Sequence, residues 1–165
     1  MFGAVGLQPG FGFGPQVGVQ LELAQVGSLA LVGRIGFETE QRVEDTGTLA
    51  YRPLQGGLVF CAWPWGEGTT QIGLCGAAAV GSMRVAASGF KAYSGTVYEV
   101  WVEAVPQVVG RTMLGEPLFV QLAFGAPLRI VVPDFRYTDS AGRTQSAFSM
   151  SRVGFMLEAS AGVRF

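Results

Sequence analysis

The end of the chain alternates with a period of two. From Val153 the odd positions are Val153, Phe155, Leu157, Ala159, Ala161, Val163 and Phe165, and the even ones are Gly154, Met156, Glu158, Ser160, Gly162 and Arg164. On a pleated strand successive side chains point to opposite faces, so this segment carries one apolar face and one small or charged face. Four more segments repeat the pattern. Gln16 to Ala24 sets Val17, Val19, Leu21 and Leu23 against Gln16, Gly18, Gln20 and Glu22, and Leu29 to Glu40 sets Leu31, Ile35 and Phe37 against Arg34, Gly36 and Glu38. Tyr98 to Ala104 and Leu118 to Leu128 alternate in the same way. Three segments richer in Gly and Ala read as weaker strands: Phe2 to Gln8, Leu54 to Trp63, and Thr70 to about Val85. Small residues there suit a curved, narrow wall.

Alternation alone also describes a half-buried soluble sheet, so composition has to separate the two. Hydrophobic residues make up 49% of the 165. A soluble domain reaches ~45–50% only when its glycines are counted in, and here 25 Gly come on top. No apolar stretch runs for the ~18 residues that a spanning helix needs. The hydrophobicity is spread over many short elements instead. In a soluble lipocalin-like barrel the second face would carry solvating groups such as Lys, Glu and Thr. Here it is mostly Gly, Ala, Ser and Gln with Glu and Arg interspersed, and the sole Lys is Lys91. The expectation is an all-β chain, a single transmembrane antiparallel up-and-down β-barrel of about eight strands over residues 1–165. Its apolar face meets lipid and its polar face fills the lumen.

The connections alternate in length. Pro9 to Pro15, Gln41 to Pro53, Ser88 to Gly95 and Val131 to Ser151 are long, whereas Gln25 to Ser28, Pro64 to Gly68 and Gly110 to Glu116 are short. Outer-membrane barrels put their short turns on the periplasmic side, so both termini are expected there and the long loops outside. Glu44-Asp45-Thr46-Gly47 and Asp139-Ser140-Ala141-Gly142 are turn-forming tips that let strands continue as hairpins above the lipid. Met1 leads at once into a strand-like segment, so on this reading the export signal has been removed. Trp63, Trp65 and Phe165 at one end, and Phe90, Tyr93, Tyr98, Phe135 and Tyr137 at the other, are candidates for aromatic girdles.

An eight-stranded barrel is only just wide enough for its own side chains. The inward set comprises Glu22, Glu38, Glu40, Glu99, Glu103 and Glu158 against Arg34, Arg129, Arg152 and Arg164. An unpaired charge in such an interior costs several kcal/mol, so these groups are expected to pair, with Arg holding carboxylates through its fixed fork of donors. The result is a charged plug. The alternative is a narrow pore or small-solute carrier, which the acid excess would bias towards cations.

Cys61 and Cys75 flank the turn Pro64 to Gly68, and a hairpin centred on residue 68 sets them opposite each other with the same inward parity. A cross-strand disulfide follows in an oxidising compartment, two free buried thiols being the alternative. The chain has no His and no Asn, which removes the commonest general base and metal ligand. No metal site, cofactor or catalytic residue is expected. Gly10 to Gly14 has no following helix to complete a phosphate loop, and Glu158 to Gly162 lacks the first Gly of a nucleophile elbow. Net charge is −1 without a basic cluster, which argues against a nucleic-acid partner.

The last strand, with Phe155, Leu157, Ala161, Val163 and a terminal Phe165 at alternate positions, resembles the C-terminal signal read by the outer-membrane assembly machinery. With the hairpin count and the Glu/Arg interior, the whole chain resembles small eight-stranded barrels of the OmpA transmembrane-domain and OmpX type. That resemblance implies residence in the bacterial outer membrane, contact with lipopolysaccharide and phospholipid, and handling by the barrel-assembly machinery. The resemblance is to the barrel alone, so the peptidoglycan-anchoring role of full-length OmpA is not carried over. The expected role is a non-enzymatic structural or interaction module. Its contact surface for a protein partner would be the loops bearing Arg42, Glu44, Asp45, Arg52, Asp134, Arg136, Asp139 and Arg143.

Overall fold

The structure, a computed structural model, describes residues 1–5, 11–23, 27–43, 47–66, 68–89, 95–138 and 143–163. Every regular element among them is a strand. In chain order these are β1 (Phe2–Val5), β2 (Phe11–Gly14), β3 (Gln16–Leu23), β4 (Gly27–Ile35), β5 (Thr39–Val43), β6 (Gly47–Trp65) and β7 (Thr70–Ser88). They continue with β8 (Gly95–Gly115), β9 (Leu118–Gly125), β10 (Leu128–Val131), β11 (Asp134–Thr138), β12 (Thr144–Ser149) and β13 (Phe155–Val163).

The main sheet is antiparallel and curls as a half-barrel, in the order β2-β1-β13-β9-β8-β7-β6-β4-β3. β10 adds to β8, β5 adds to β6, and β11 with β12 forms a separate two-stranded sheet. The two outermost members of the path, β2 and β3, are consecutive in the chain with only Pro15 between them. The Pro15 carbonyl accepts from Ile35 N–H at 3.2 Å and the Phe13 carbonyl from Phe37 N–H at 2.9 Å, so β2 also lies along the end of β4.

Each of the eight segments read as strands meets a strand over its described residues, but Leu29 to Glu40 is broken at 36–38 and Leu118 to Leu128 at 126–127. Residues 6–8, 24, 164 and 165 lie outside the described residues, and several strands run further. β8 continues past Ala104 through Pro106, which faces outward opposite Gly76. A proline costs that ladder one donor, and flanking pairs carry the strand across it. The turn expected over Gly110 to Glu116 shrinks accordingly to Glu116-Pro117, entered through Gly115 at φ 140°. The connection Pro9 to Pro15 contains β2, and the two longest connections are the hairpins β5–β6 and β11–β12.

Burial follows the alternation with the usual polarity reversed. On β3 the outward row Val17, Val19, Leu21 and Leu23 is 45–75% exposed, and on β13 Phe155 and Leu157 are about 60% exposed while Met156 and Glu158 are buried. Two apolar clusters fill the concave side. One gathers Tyr51, Met83 and Trp101 with Phe135 and Met150 from the long-connection end, and the other packs Val32, Val59, Trp63, Val105 and Val109 around the cysteines. β7 makes room by lining its concave side with Gly73, Cys75, Ala77, Ala79 and Gly81. Trp101 lies over Gly81, its direct cross-strand partner, so closely that a Cβ there would sit 2.1 Å from the indole ring. The close approach, not the backbone dihedral, is what demands glycine.

Candidate functional site

The polar side chains of the concave face come from alternate strand positions, some directly paired across neighbouring strands, as Gln16 with Arg34, Arg34 with Gln55 and Glu103 with Arg129, and others on strands that are not neighbours in the sheet. The curl brings the latter together. Arg34 on β4 donates through Nε to Gln16 Oε1 at 3.1 Å and through Nη1 to Gln55 Oε1 at 3.2 Å, and its Nη2 pairs with Glu158 on β13. Gln55 passes the chain on by donating to Glu103, whose other oxygen lies 3.2 Å from Nε of Arg129. Arg129 in turn donates through Nη1 to the Ser151 carbonyl at 2.6 Å. Arg34, Gln55, Glu103, Arg129 and Glu158 are each no more than 6% exposed. The network therefore runs unbroken from β13 to β10 in a region shielded from solvent.

A second group sits nearer the short-turn end. Arg111 donates to Glu22 Oε1 at 2.5 Å and to Gln71 Oε1 at 2.6 Å, and its guanidinium lies 4.2 Å from the centre of the Trp63 ring. Cation–π contact of this kind is worth ~0.5–2 kcal/mol, more where water is excluded. Trp63 donates its indole N–H to Ser28 Oγ at 3.2 Å. Its ring is thus fixed from both sides, and it faces inward rather than forming a girdle.

Of the charges expected inside, Glu22, Arg34, Glu103, Arg129 and Glu158 are gathered into these groups. Glu99 keeps inward parity but is only half-buried, and Glu38, Glu40 and Arg152 are exposed. The displacement of Glu38 and Glu40 has a local cause. Ile35 pairs with Leu54 but Thr39 with Tyr51, so one extra residue on the first strand forms a bulge and reverses its facing. Arg152 precedes β13, where the alternation has not begun, and contributes only its carbonyl, which accepts from Arg129 N–H at 2.8 Å. Arg164 and Phe165 lie outside the described residues, as do Glu44, Asp45, Asp139, Phe90 and Tyr93.

Gln55, Gln71 and Arg111 join these groups without being among the expected inward residues, and the turn expected over residues 110–116 is what hides Arg111. Its signal was present: Glu103, Val105, Gln107, Val109 and Arg111 continue the inward row of β8 at spacing two. Phe135 and Tyr137, read as girdle candidates, instead belong to the inner cluster, with Phe135 against Tyr51 at 5.9 Å. Tyr98 and Trp65 are exposed, at 66% and 55%.

Cys61 and Cys75 are bonded and directly paired in the β6–β7 ladder, on the concave side between Trp63 and Ala77. The hairpin centre at residue 68 holds. Closing a loop of this length stabilises by ~3 kcal/mol in the chain-entropy description. Among the described residues no group of three or more Cys, Asp and Glu converges as metal ligands would.

On the convex side Phe155, Leu157, Ala161 and Val163 of the last strand are all exposed, in line with Leu118, Leu122 and Phe124 of β9. Those rows belong to an apolar surface that continues through Val100 and Val108 of β8, Leu74 and Val80 of β7, and Leu54, Leu58 and Phe60 of β6 to β4 and β3. No known protein family, curated protein or solved structure matches the chain.

Proposed function

We propose that the chain is a transmembrane β-barrel of the bacterial outer membrane, non-enzymatic, with a lumen plugged by its own charged side chains, serving as a structural or interaction module. The observation that carries this reading is the inverted distribution of polarity: large apolar side chains outside, and a buried Arg/Glu/Gln network inside. In water a continuous apolar face of this kind is an aggregation surface, since monomers rarely expose contiguous apolar patches larger than a few hundred Å². In lipid it is the contact surface.

The proposed ring treats β2 and β3 as one stave joined across Pro15, a reading supported by the pairing of β2 with β1 and of β3 with β4. The path then becomes eight staves: β1, β2–β3, β4–β5, β6, β7, β8, β9–β10 and β13. Gln16 on β3 reaches Glu158 on β13 at 3.4 Å, which spans the join. A bilayer requires a wall without free edges, and an even count is what single-chain bacterial barrels use. The apolar rows also have the right height. From Ile72 to Ser82, ten residue-to-residue steps of ~3.3 Å each, tilted by ~40°, cover ~25 Å, the usual height of the lipid-facing band.

Refolding into detergent tests the reading. Expected are a β-rich far-UV spectrum only when detergent is present and faster gel migration of the unboiled species. A monomer that stays soluble without detergent would overturn it. In planar bilayers the paired lumen charges predict silence, and discrete cation-selective steps would replace the plug with a pore.

A further inference from the structure

Two arginines stand on the convex face, where the charge network has no use for them. Arg52 on β6 and Arg84 on β7 are directly opposite in the ladder, and Arg84 is in turn opposite Tyr98 on β8. All three are exposed. Like charges directly opposite on one face of an antiparallel pair repel, their Cβ atoms being ~4.5–5.5 Å apart. Among the described residues neither guanidinium has an ion-pair or hydrogen-bond partner. Glu38 and Glu40 project from the neighbouring strand, yet neither lies within ion-pair distance of Arg52. The two guanidiniums thus stand together without a carboxylate in ion-pair contact among the described residues.

Their height on the wall gives them meaning. One step towards the short turns, the outward row is Leu54, Ser82 and Val100, and below that the apolar surface continues. One step the other way it is Ala50, Ala86 and Thr96, then Thr48 and Ser88. Arg52, Arg84 and Tyr98 thus mark the line where the apolar rows end, and Phe37, 50% exposed, lies beside Arg52 across the bulge. Guanidinium forks match phosphate oxygens bidentately, and tyrosine and phenylalanine rings suit headgroup depth.

Resting on the membrane reading, we propose that Arg52 and Arg84 clamp the phosphate of an anionic lipid headgroup at the long-loop rim of the barrel, with Tyr98 as a flanking donor. The occupant is a lipid and not a free anion, because the apolar rows directly beneath the clamp give its acyl chains a surface to follow. One phosphate shared between two guanidiniums replaces their repulsion with attraction.

The test uses the full chain in nanodiscs of zwitterionic phospholipid, with and without a phosphomonoester lipid, reading thermal unfolding and the number of lipids retained in native mass spectrometry. Wild type is expected to unfold at higher temperature and to retain the phosphomonoester lipid about tenfold better than R52Q/R84Q. R42Q, which removes one positive charge elsewhere on the convex face, is expected to behave as wild type. In purely zwitterionic discs R52Q/R84Q should be at least as stable as wild type, since it relieves the repulsion. Equal retention by wild type and R52Q/R84Q overturns the clamp, as does equal loss in R42Q. Stabilisation by inorganic phosphate alone, in zwitterionic discs, overturns the lipid assignment. Failure of wild type to insert into zwitterionic discs at all removes the membrane reading itself, and the clamp with it.

Discussion

Single residues on the concave face hold their places by contacts that leave little slack. Gly81 cannot gain a methyl group without displacing the Trp101 ring, whereas a Cβ at Gly76 on the same strand would meet nothing within 4 Å. Gly81→Ala is therefore expected to destabilise by ~1–3 kcal/mol through overpacking, and Gly76→Ala to be neutral or slightly stabilising by restricting the unfolded chain. Urea unfolding of the two variants in the same detergent checks the contrast. The Arg34–Glu158 pair gives a second contrast. Glu158→Gln leaves a buried guanidinium without its carboxylate, a loss of ~3–5 kcal/mol. Arg34→Gln leaves a buried carboxylate that keeps only the Gln16 amide, and is expected to cost a similar amount. Combining them should recover part of that loss, because neither charge is then stranded. A double-mutant cycle reads the coupling, and strict additivity would show that the two groups do not act as a pair.

At the scale of elements, alternation made strand existence legible and bulges made facing illegible. β3, β9 and β13 could be read with their correct outward rows because each keeps one parity throughout. Glu38 and Glu40 could not, since the extra residue between Ile35 and Thr39 leaves no mark that a single sequence displays. Arg111 was hidden for the opposite reason: the strand simply outran the Pro106 and Gly110 that looked like its end. The β11–β12 hairpin shows its fastening only in the structure. Asp134 accepts from Arg136 Nε at 2.7 Å and from Ser146 Oγ at 3.0 Å, bridging the two strands. The hydrogen bond from Arg136, followed by that from Ser146, holds its carboxyl below the usual carboxylate range. A carboxyl held low when folded stabilises above its ordinary titration range and loses that contribution as pH falls through the folded value. Amide exchange in the hairpin is accordingly expected to rise, after correction for intrinsic rates, as pH drops into and below the carboxylate range. In Asp134→Asn that pH dependence should vanish; its persistence would assign the effect to another group.

For the whole molecule, the decisive question is what the convex face touches, and two leucines on one strand can answer it. Leu54 and Leu58 both lie on β6, both face outward, and are 54% and 53% exposed. In exposure they are equivalent. In water, replacing either with Arg should have the same small effect, since an exposed surface substitution ordinarily changes stability by no more than ~0.5 kcal/mol. In a bilayer they differ only in depth. Leu58 sits midway along the outward row from Leu54 to Ala62, while Leu54 borders the Arg52–Arg84 line where the apolar rows end. A lipid-facing Arg costs ~2–4 kcal/mol at the midplane and ~0–1 near an interface. Leu58→Arg is thus expected to impair folding into lipid vesicles by about that difference relative to Leu54→Arg, read from denaturant-dependent insertion equilibria. Equal effects of the two substitutions would mean that depth does not matter, and that the inverted polarity of this sheet serves some surface other than a bilayer.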